Sequence, residues 1–375
     1  MLVAKRNNNG YRFVVDFRLL NTKIILGAHP LPSTTEAFES LGSNAPAYFS
    51  TLDLQSGFYQ LEIDPTSRPF TAWRCHLGLF QFKRLPMGLK NSPLTLQRVM
   101  EAVLRGLNWK FSLVYLDDII VFSKTFSDHL SHLRQIFDRL RTAGLTLHPA
   151  KCSFAKKEFR YLGDIVNCKD ISADPEKVTA IETYPVPVNL KQLRAFLGLS
   201  GYYRRFVKDY SRIASPLYEL AKKNANFIWT DKCQNSFDSL KAALVSPAIL
   251  GFPRYDQPFK LYTDASSFSV GAVLCQEQDG IERVISYAGR SLSNSERNFG
   301  ISEKECIALV YAVKHFDCFL RHNYNYFEAY VDHLALKWLL TMNEPVGKFA
   351  RWIAVIQSYN YNVKVHPGRE HLNAD

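Results

Sequence analysis

Two adjacent aspartates, Asp117 and Asp118, lie inside an apolar run from Phe111 to Phe122. Two like charges between stretches typical of buried β-strand are costly unless a cation offsets them. A pair of divalent metal ions would neutralise the carboxylates and organise phosphoryl transfer. An Asp-Asp turn in an exposed hairpin explains the same residues, since aspartate favours turns. The segment alone does not decide between the two interpretations.

A third carboxylate, Asp53, is predicted to lie close to this pair. The stretch from Ala47 to Leu52 is strand-like, and Asp53 stands at its end. Nucleotidyl transfer needs carboxylates that hold two Mg²⁺ ions roughly 4 Å apart, one at the attacking 3′-hydroxyl and one at the leaving pyrophosphate. Carboxylates that converge from separate strand ends would meet this need. We therefore interpret Asp53, Asp117 and Asp118 as candidate metal ligands.

A second group of carboxylates lies in the last third of the chain. Asp264 and Asp332 each follow a run of β-type residues, Glu305 lies near a predicted helix start, and Asp375 is the last residue. Four carboxylates around two metal ions would suit phosphodiester hydrolysis. For Glu305 there is a purely structural alternative, because Ser302-x-x-Glu305 has the pattern of a capping box.

The elements that must position these residues indicate an α+β fold. A helix is predicted from Asn91-Ser92-Pro93, with the serine as N-cap and the proline at the first helical position. Further helices are predicted from about Ser127 and from about Ser302 to Leu320. The strands and helices together predict a sheet with helices packed on one face, with the acidic hairpin beside Asp53.

Composition places the chain among ordinary globular proteins and excludes several classes. Its 375 residues exceed what one hydrophobic core normally supports, so two or more domains are expected. No apolar run approaches the roughly 20 residues of a membrane span, and the N-terminus has no signal-peptide pattern. Seven cysteines without a Cys-x-x-Cys pair predict reduced thiols in an intracellular protein and argue against a zinc site.

Positive charge is concentrated in the first part of the chain. The net charge is +11, and residues 1–220 contain 29 Lys and Arg against 19 Asp and Glu. Such a basic region indicates a polyanionic partner, with nucleic acid as the leading case. Within it, residues 174–223 form a helical pattern whose cationic and aromatic residues suit a nucleic-acid backbone and exposed bases. The alternative is that the aromatic side chains are helix core and the arginines a solvated face. These residues are Phe196, Tyr202, Tyr203, Arg204, Arg205 and Phe206.

Five motifs follow one another along the first half of the chain. They are Arg12-Phe13-Val14-Val15-Asp16-Phe17-Arg18 with Asn21, Leu52-Asp53-Leu54-Gln55-Ser56-Gly57-Phe58, Leu85-Pro86-Met87-Gly88-Leu89-Lys90-Asn91-Ser92-Pro93, Tyr115-Leu116-Asp117-Asp118 and Tyr161-Leu162-Gly163. In this order and at these spacings they resemble the reverse transcriptase and ribonuclease H segment of a gypsy-type long-terminal-repeat retrotransposon polyprotein, as in retroviruses. The resemblance is highly specific and covers nearly all of the chain.

The resemblance implies a role for each candidate residue of the first part. Asp53, Asp117 and Asp118 match the polymerase metal ligands, and Lys5 and Arg12 match cations that hold the phosphates of the incoming nucleotide.

Four further positions match the nucleotide and primer sites. Phe58 matches the bulky residue that excludes a 2′-hydroxyl, with an ordinary core aromatic as the alternative. Met87 stands where many relatives carry Gln or Phe, and it would pack against the nucleotide. Lys151 resembles a lysine that protonates the leaving pyrophosphate, with a solvated lysine as the alternative. The segment Tyr161-Leu162-Gly163 resembles the primer-gripping hairpin.

The last third of the chain carries the ribonuclease H part of the resemblance. Its motifs are Tyr262-Thr263-Asp264-Ala265-Ser266, Glu303-Lys304-Glu305, Val331-Asp332-His333, and His366-Pro367-Gly368 leading to Asn373-Ala374-Asp375. The resemblance implies that Asp264, Glu305, Asp332 and Asp375 are the metal ligands of a nuclease. It therefore favours a metal-binding role for Glu305 over the cap alone, and it places His366 near a histidine that assists product release.

The resemblance also implies a domain order. We expect reverse transcriptase fingers and palm in residues 1–170, a thumb in 171–223, a connecting segment in 224–257 and an RNase H-like α/β domain in 258–375. The first and last domains are expected to be incomplete at the chain ends, which would leave Asp375 poorly held.

The implied function is an RNA-directed DNA polymerase that extends a primer with deoxynucleotides on RNA or DNA templates and hydrolyses the RNA strand of RNA–DNA hybrids. Each active site would use two Mg²⁺ ions, or Mn²⁺. Partners would be template, primer, hybrid and dNTPs, without a membrane. The parent polyprotein would add protease and integrase domains, and the expected location is intracellular, in the cytoplasm within virus-like particles. A truncated, non-catalytic remnant that only binds nucleic acid is the alternative, and a retroviral or pararetroviral origin shares the motifs.

Overall fold

The protein consists of two compact units. The computed structural model describes residues 2–5, 11–44, 46–223, 225–245, 249–321, 326–331, 345 and 347–365. The first unit ends at Phe159 and the second begins at Arg160. Within the described ranges, no helix is long and apolar enough to cross a membrane.

The first unit is built on a four-stranded antiparallel sheet whose strand order is β6-β7-β3-β8. Two small antiparallel hairpins, β1-β2 and β4-β5, accompany it. Its elements are β1 (Leu2–Lys5), β2 (Tyr11–Val14), α1 (Arg18–Lys23), α2 (Thr34–Asn44), β3 (Tyr48–Asp53), β4 (Trp73–Cys75), β5 (Gly78–Phe80), α3 (Ser92–Val103), β6 (Ser112–Tyr115), β7 (Asp118–Ser123), α4 (Phe126–Thr142) and β8 (Ser153–Lys156).

Helices α3 and α4 cover one face of this sheet. Leu96 and Met100 of α3 and Ile136 and Leu140 of α4 are buried in one apolar cluster with Ile119 of β7. Their spacing places them on one face of each helix, as an amphipathic helix requires. The helices predicted near residues 92 and 127 are therefore present.

The start of α3 differs from the prediction by one residue. The N-cap is Asn91, and the helix begins at Ser92, so the proline occupies the second helical position. The predicted serine cap is wrong because the Ser92 hydroxyl is used elsewhere, where it donates to the Pro86 carbonyl at 2.9 Å.

The second unit contains two sheets and most of the helices. A four-stranded sheet has the order β12-β11-β10-β9, and a five-stranded sheet has the order β15-β14-β13-β16-β17. The elements are β9 (Glu158–Tyr161), β10 (Asp164–Asn167), β11 (Asp170–Ala173), α5 (Pro175–Glu182), α6 (Leu190–Tyr202), α7 (Tyr210–Leu220), α8 (Asp231–Val245), β12 (Leu250–Gly251), β13 (Phe259–Ala265), β14 (Ser269–Gln278), β15 (Ile281–Ser291), α9 (Asn294–Arg297), α10 (Ile301–His315), α11 (Asp317–Arg321), β16 (Phe327–Val331), α12 (Lys348–Gln357) and β17 (Tyr361–Val365).

The five-stranded sheet is mixed. Strands β13, β14 and β15 are antiparallel, whereas β16 pairs in parallel with both β13 and β17. A parallel pair needs a crossover connection, and α10 lies in the part of the chain that connects β13 to its parallel partner β16. Leu261 of β13 and Leu274 of β14 pack in one core with Ala312 of α10. The predicted α+β class is confirmed.

The helix predicted from Ser302 to Leu320 is interrupted. Helix α10 ends at His315, and α11 begins at Asp317. Phe316 between them is almost fully buried in the core of the five-stranded sheet. The apolar pattern continues through this break because both helices bury one face, so periodicity did not reveal it.

Candidate active site

Asp53 and Asp118 lie opposite each other on neighbouring strands of the first unit. Strand β3 ends at Asp53, β7 begins at Asp118, and the antiparallel register pairs the two residues. The next pair, Leu52 and Ile119, belongs to the apolar cluster under α3 and α4. Because successive strand residues alternate between faces, the two aspartates lie on the opposite face of the sheet. Asp117 lies in the turn between β6 and β7. The three carboxylates therefore meet at one end of the sheet.

A cleft of about 530 Å³ lies over these aspartates. It contains residues from the 3₁₀ turn after β3, from the loop before α3 and from the 3₁₀ turn before β8. Its lining residues are Asp53, Leu54, Gln55, Ser56, Gly57, Phe58, Met87, Asp117, Asp118, His148 and Lys151. The structure thus brings together the three predicted ligands, Phe58, Met87 and Lys151.

A buried glutamine holds the turn that carries the aspartate pair. Gln97 of α3 donates from Nε2 to the Val114 carbonyl at 3.1 Å, and its Oε1 accepts the Leu116 N–H at 2.7 Å. Leu116 has a φ of +58°, in the left-handed region. That conformation costs a residue with a side chain roughly 1–2 kcal/mol. The two bonds offset this cost and fix the direction in which Asp117 and Asp118 point.

The carboxylates repel one another and attract one lysine. Partial burial, followed by the charges of Asp117 and Asp53, raises the pKa of Asp118 to about 6, and Lys151 opposes the rise. The Asp118 side chain also reaches solvent. The Lys151 ammonium contacts both carboxylate oxygens of Asp53, at 2.8 and 3.0 Å. The cleft therefore favours a cation beside its aspartates.

The donor set suits hard divalent cations. Mg²⁺ and Mn²⁺ prefer carboxylate oxygens, and three aspartates without a soft ligand meet that preference. Among the described residues, no three His, Cys, Asp or Glu side chains are already arranged to hold an ion. Lys151 occupies the carboxylate of Asp53 in this arrangement. The residues fit a metal by chemistry and charge, and the lysine would have to share or leave Asp53.

Three residues that support the site were not singled out from sequence. Gly57 lies so close to the turn that carries the aspartate pair that a Cβ there would come within 3.2 Å of the Asp117 Cβ. His148 lines the cleft, and its backbone N–H donates to the Asp53 carbonyl at 2.8 Å. Gln97 supports the turn that carries the aspartate pair by accepting a hydrogen bond from the Leu116 N–H. The sequence offered two signals for these residues. One was a glycine, Gly57, directly before Phe58, and the other was a polar residue, Gln97, on an apolar helix face.

Phe58 satisfies both interpretations given to it. Its side chain packs partly against the apolar cluster of the first unit, and it also lines the cleft. The core interpretation and the nucleotide-facing interpretation are therefore compatible. Met87 lines the same cleft.

Lys5 and Arg12 are placed only by their backbone. They belong to neighbouring strands, where Lys5 pairs with Tyr11 and Arg12 pairs with Ala4. Their side chains lie outside what the structure describes, so their role as phosphate-binding cations stays a prediction.

In the second unit, Asp264 and Glu305 lie on a strand and a helix that pack together. Asp264 belongs to β13 and pairs with Gly271 of β14. Ala265, the next residue, packs in a cluster with Ala308, which lies one turn beyond Glu305 on α10. Glu305 is buried, with 8% of its surface exposed. Asp332, Asp375 and His366 are outside the described residues.

The cap at the start of α10 does not involve Glu305. The N-cap is Gly300, whose N–H donates to the Glu303 carboxylate at 3.0 Å. Glu303 also pairs with Lys348 at 2.7 Å. The Ser302–Glu305 capping box is therefore wrong, because the helix begins two residues earlier than that box requires. Glu305 lies on α10, which packs against β13.

The aromatic and cationic cluster of α6 divides into two groups. Phe196, Tyr203 and Phe206 are buried, so the core alternative holds for them. Tyr202 and Arg204 are exposed. The predicted primer-gripping segment, Tyr161-Leu162-Gly163, forms the end of β9 and the turn into β10.

Two protein families match the chain. The reverse transcriptase (RNA-dependent DNA polymerase) family matches residues 3–166. A family described as the RNase H-like domain found in reverse transcriptase matches residues 229–327.

Curated relatives of the chain are transposon proteins. The retrovirus-related Pol polyprotein from transposon 297 of Drosophila melanogaster is 40% identical over 98% of this chain, and that from transposon gypsy is 35% identical over 98%. The chain spans about a third of the length of these relatives, 34% and 36%.

Solved structures share the fold. The foamy viral protease–reverse transcriptase in complex with double-stranded DNA matches with a TM-score of 0.85 at 23% identity, over 97% of this chain and 64% of that chain. The same viral protein in complex with an RNA/DNA hybrid matches with a TM-score of 0.80 at 23% identity, over 98% of this chain and 50% of that chain.

These matches define a reverse transcriptase domain followed by an RNase H-like domain. The chain belongs to the retrovirus-related Pol polyproteins of gypsy-type retrotransposons, as a segment of such a polyprotein. The resemblance inferred from the five motifs is confirmed.

Proposed function

We propose that this segment is an RNA-directed DNA polymerase that extends a primer by two-metal nucleotidyl transfer, with an RNase H-like domain that hydrolyses the RNA strand of RNA–DNA hybrids. The observation that carries the proposal is the convergence of Asp53, Asp117 and Asp118 in one cleft, within contact distance of a lysine. A carboxylate with a raised pKa beside other carboxylates in a cleft, as for Asp118 here, is typical of a functional site rather than of a structural turn.

Asp53, Asp117 and Asp118 would hold the metal ions, with Mg²⁺ as the leading candidate and Mn²⁺ as the alternative. The bound ions would activate the primer 3′-hydroxyl and neutralise the leaving pyrophosphate. The chain itself contributes the fixed carboxylate geometry, because the β3-β7 register and Gln97 hold the aspartates before substrate arrives.

Other cleft residues would orient the nucleotide. Phe58 projects from the 3₁₀ turn after β3 and would exclude a 2′-hydroxyl by its bulk. Met87 would pack against the nucleotide from the opposite loop. The Lys151 ammonium would donate a proton to the leaving pyrophosphate after releasing the Asp53 carboxylate. Lys5 and Arg12 would hold the phosphates of the incoming nucleotide.

The nuclease function rests on fewer described residues. Asp264 and Glu305 lie on packed elements of the second unit, and we propose that Asp332 and Asp375 complete their metal site. The domain limits 1–170, 171–223, 224–257 and 258–375 remain part of the proposal.

Nucleic acid and deoxynucleotides are the proposed partners. The basic first part of the chain supports this, as do the complexes that the foamy viral protein forms with DNA and with an RNA/DNA hybrid. The parent polyprotein would supply protease and integrase domains. All seven cysteines are free thiols, which supports a reducing, intracellular setting, with the cytoplasm proposed.

Primer extension and hybrid cleavage in one preparation test the proposal. The chain should extend a DNA primer on RNA and on DNA templates in Mg²⁺, and it should cleave the RNA of an RNA–DNA hybrid. Asp117→Asn should abolish extension and leave cleavage, whereas Asp264→Asn should do the reverse. Tight hybrid binding without either reaction would instead identify a non-catalytic, nucleic-acid-binding remnant.

A further inference from the structure

The turn between β9 and β10 needs support from outside the hairpin. Strand β9 ends at Tyr161 and β10 begins at Asp164, so Leu162 and Gly163 form a two-residue turn. Both have positive φ, +49° and +92°. This is the pattern of a type I′ turn, which favours Asn or Gly at its first position. Leucine there is unfavourable, and such residues persist only where the surroundings fix them.

Two consecutive tyrosines at the end of α6 supply that support. The Tyr202 hydroxyl donates to the Leu162 carbonyl. The Tyr203 hydroxyl donates to the Gly163 carbonyl at 2.9 Å, and the Asp174 N–H donates to the same oxygen at 3.2 Å. Both carbonyls of the turn are thus bound by neighbouring side chains of one helix end.

An ion pair fixes the strand that follows the turn. Arg205 contacts the Asp164 carboxylate at 2.5 Å, and the Asp164 side chain is fully buried. A buried carboxylate is costly without a cation, so this pair resists separation. The residues from Tyr202 to Arg205 therefore bind three consecutive positions, from Leu162 to Asp164.

The packing between the turn and the tyrosines is close. A Cβ on Gly163 would lie 3.2 Å from the Tyr203 hydroxyl oxygen and 3.5 Å from the Tyr202 Cε1. Only glycine fits this position, because its φ is also unfavourable for any other residue. The hydroxyl of Tyr203 is held inside this contact, and only 2% of the residue is exposed. Tyr203 is therefore placed to hold the turn and not to stack on a base.

We infer that Tyr202, Tyr203 and Arg205 are positioning residues that tether the Leu162–Gly163 turn to α6, so that the turn and this helix move as one body. The inference deepens the proposed polymerase function, on which it rests, because the primer-gripping role of the turn belongs to that proposal. The tether fixes the primer end through the turn, and it takes no part in nucleotide binding or in the chemical step.

Tyr203→Phe tests the tether by removing one hydroxyl. Tyr210→Phe is a matched control, because Tyr210 is also buried in the second unit and its hydroxyl bonds the Ser200 hydroxyl at 2.9 Å, away from the turn. The measurement is the number of nucleotides added per primer-binding event, with excess unlabelled primer–template as a trap.

We expect Tyr203→Phe to shorten the products about three- to tenfold, as loss of one neutral hydrogen bond predicts. The KM for dNTP and the rate of hybrid cleavage should change less than about twofold, and Tyr210→Phe should leave product length unchanged. Equal product lengths for Tyr203→Phe and wild type, or equal shortening in both variants, would overturn the tether.

Hydrogen exchange separates the tether from the proposed function. In the full chain without nucleic acid, a peptide covering residues 158–167 should exchange faster in Tyr203→Phe than in wild type or in Tyr210→Phe. If wild type adds no nucleotide, the polymerase proposal fails while this measurement still decides the tether. Unchanged exchange in Tyr203→Phe would contradict the tether even in an active enzyme.

Discussion

The two carboxylate groups of this chain are positioned by different physical means. In the first unit, Asp53 and Asp118 are a register pair on hydrogen-bonded strands, and a buried glutamine holds the adjoining turn. In the second unit, Asp264 lies on a strand and Glu305 on a helix, and small side chains of the two elements, Ala265 and Ala308, belong to one apolar cluster. Backbone hydrogen bonds fix the first geometry, whereas side-chain packing fixes the second. A variant that removes a hydrogen bond supporting the first site should therefore impair the activity of that site and leave the second site unchanged.

Glu305→Gln distinguishes the metal-binding role of Glu305 from its position in a helix. Glu305→Gln should reduce hybrid cleavage by at least about 100-fold, as loss of one preorganised charge predicts. Primer extension by the same sample should stay within about twofold, because the first unit is untouched. Ser302→Ala is the control and should change neither reaction, since Glu303, rather than Glu305, caps α10.

Gln97→Leu should have the opposite effect on the two reactions: it should impair primer extension rather than hybrid cleavage. The variant leaves the Leu116 N–H without its acceptor, which costs about 1–3 kcal/mol, and lets the aspartate turn shift. Primer extension should fall about 10- to 100-fold, because small misplacements of reacting groups are costly. Hybrid cleavage should not change.

Gln278→Leu provides the matched control for Gln97→Leu. Gln278 is a buried glutamine of the second unit, and it donates to the Phe252 carbonyl and to Gln276. Its loss should cost comparable stability by thermal denaturation without reducing primer extension. Equal loss of extension in both variants would show that Gln97 acts only through general stability.

The charge repulsion in the first site predicts a pH-dependent stability. The pKa of Asp118 is about 6, above its ordinary value of 3.8, so the folded chain binds a proton more tightly than the unfolded chain. In the absence of divalent metal, Asp118→Asn should raise the Tm of the first unit at pH 7 by roughly 2 °C or more.

That gain should shrink as the pH falls from about 6 to 4, because protonation of Asp118 relieves the repulsion in the wild type. Calorimetry at pH 7 and pH 5 in EDTA checks this. Asp138→Asn, at an exposed residue paired with Arg141 at 2.9 Å, is the control and should show no such gain. A gain that does not depend on pH would exclude repulsion as its cause.

The smallest expected effect concerns the cap of α10. Glu303→Ala removes the bond to the Gly300 N–H and the pair with Lys348. It should destabilise the second unit by about 0.5–1 kcal/mol in denaturant unfolding, the usual cost of a lost cap. Both reactions should continue at wild-type rates. A loss of cleavage like that of Glu305→Gln would mean that Glu303 belongs to the nuclease site.

The placement of the carboxylates could be predicted from sequence, whereas the placement of their supports could not. Aspartates at the ends of apolar strands have few places to lie, so the approach of Asp53 to Asp118 followed from strand pairing. Gln97 is a polar residue on an apolar helix face, but only the tertiary structure shows its hydrogen bonds to Val114 and Leu116. The left-handed conformations of Leu116 and Leu162 have no sequence signal, because leucine does not favour them.

Two details that the sequence left open have the same origin. The capping box considered for α10 lies two residues too late, since Ser302-x-x-Glu305 and Gly300-x-x-Glu303 both fit a cap and the choice depends on where the chain enters the helix. Tyr203 and Phe206 have the composition of a nucleic-acid surface, but they are buried by neighbouring helices. The residue types can be read from the sequence, whereas long-range packing determines whether their side chains are buried or exposed.

The central claim is that Asp53, Asp117 and Asp118 form the polymerase site of the first unit. Single-nucleotide incorporation by Asp53→Asn in Mg²⁺ tests it most directly, with hybrid cleavage in the same tube as an internal control for folding. We expect incorporation to fall at least about 1,000-fold while cleavage stays within about twofold, since the variant removes a charge from the reacting centre. Incorporation within about tenfold of wild type, with cleavage intact, would contradict the account.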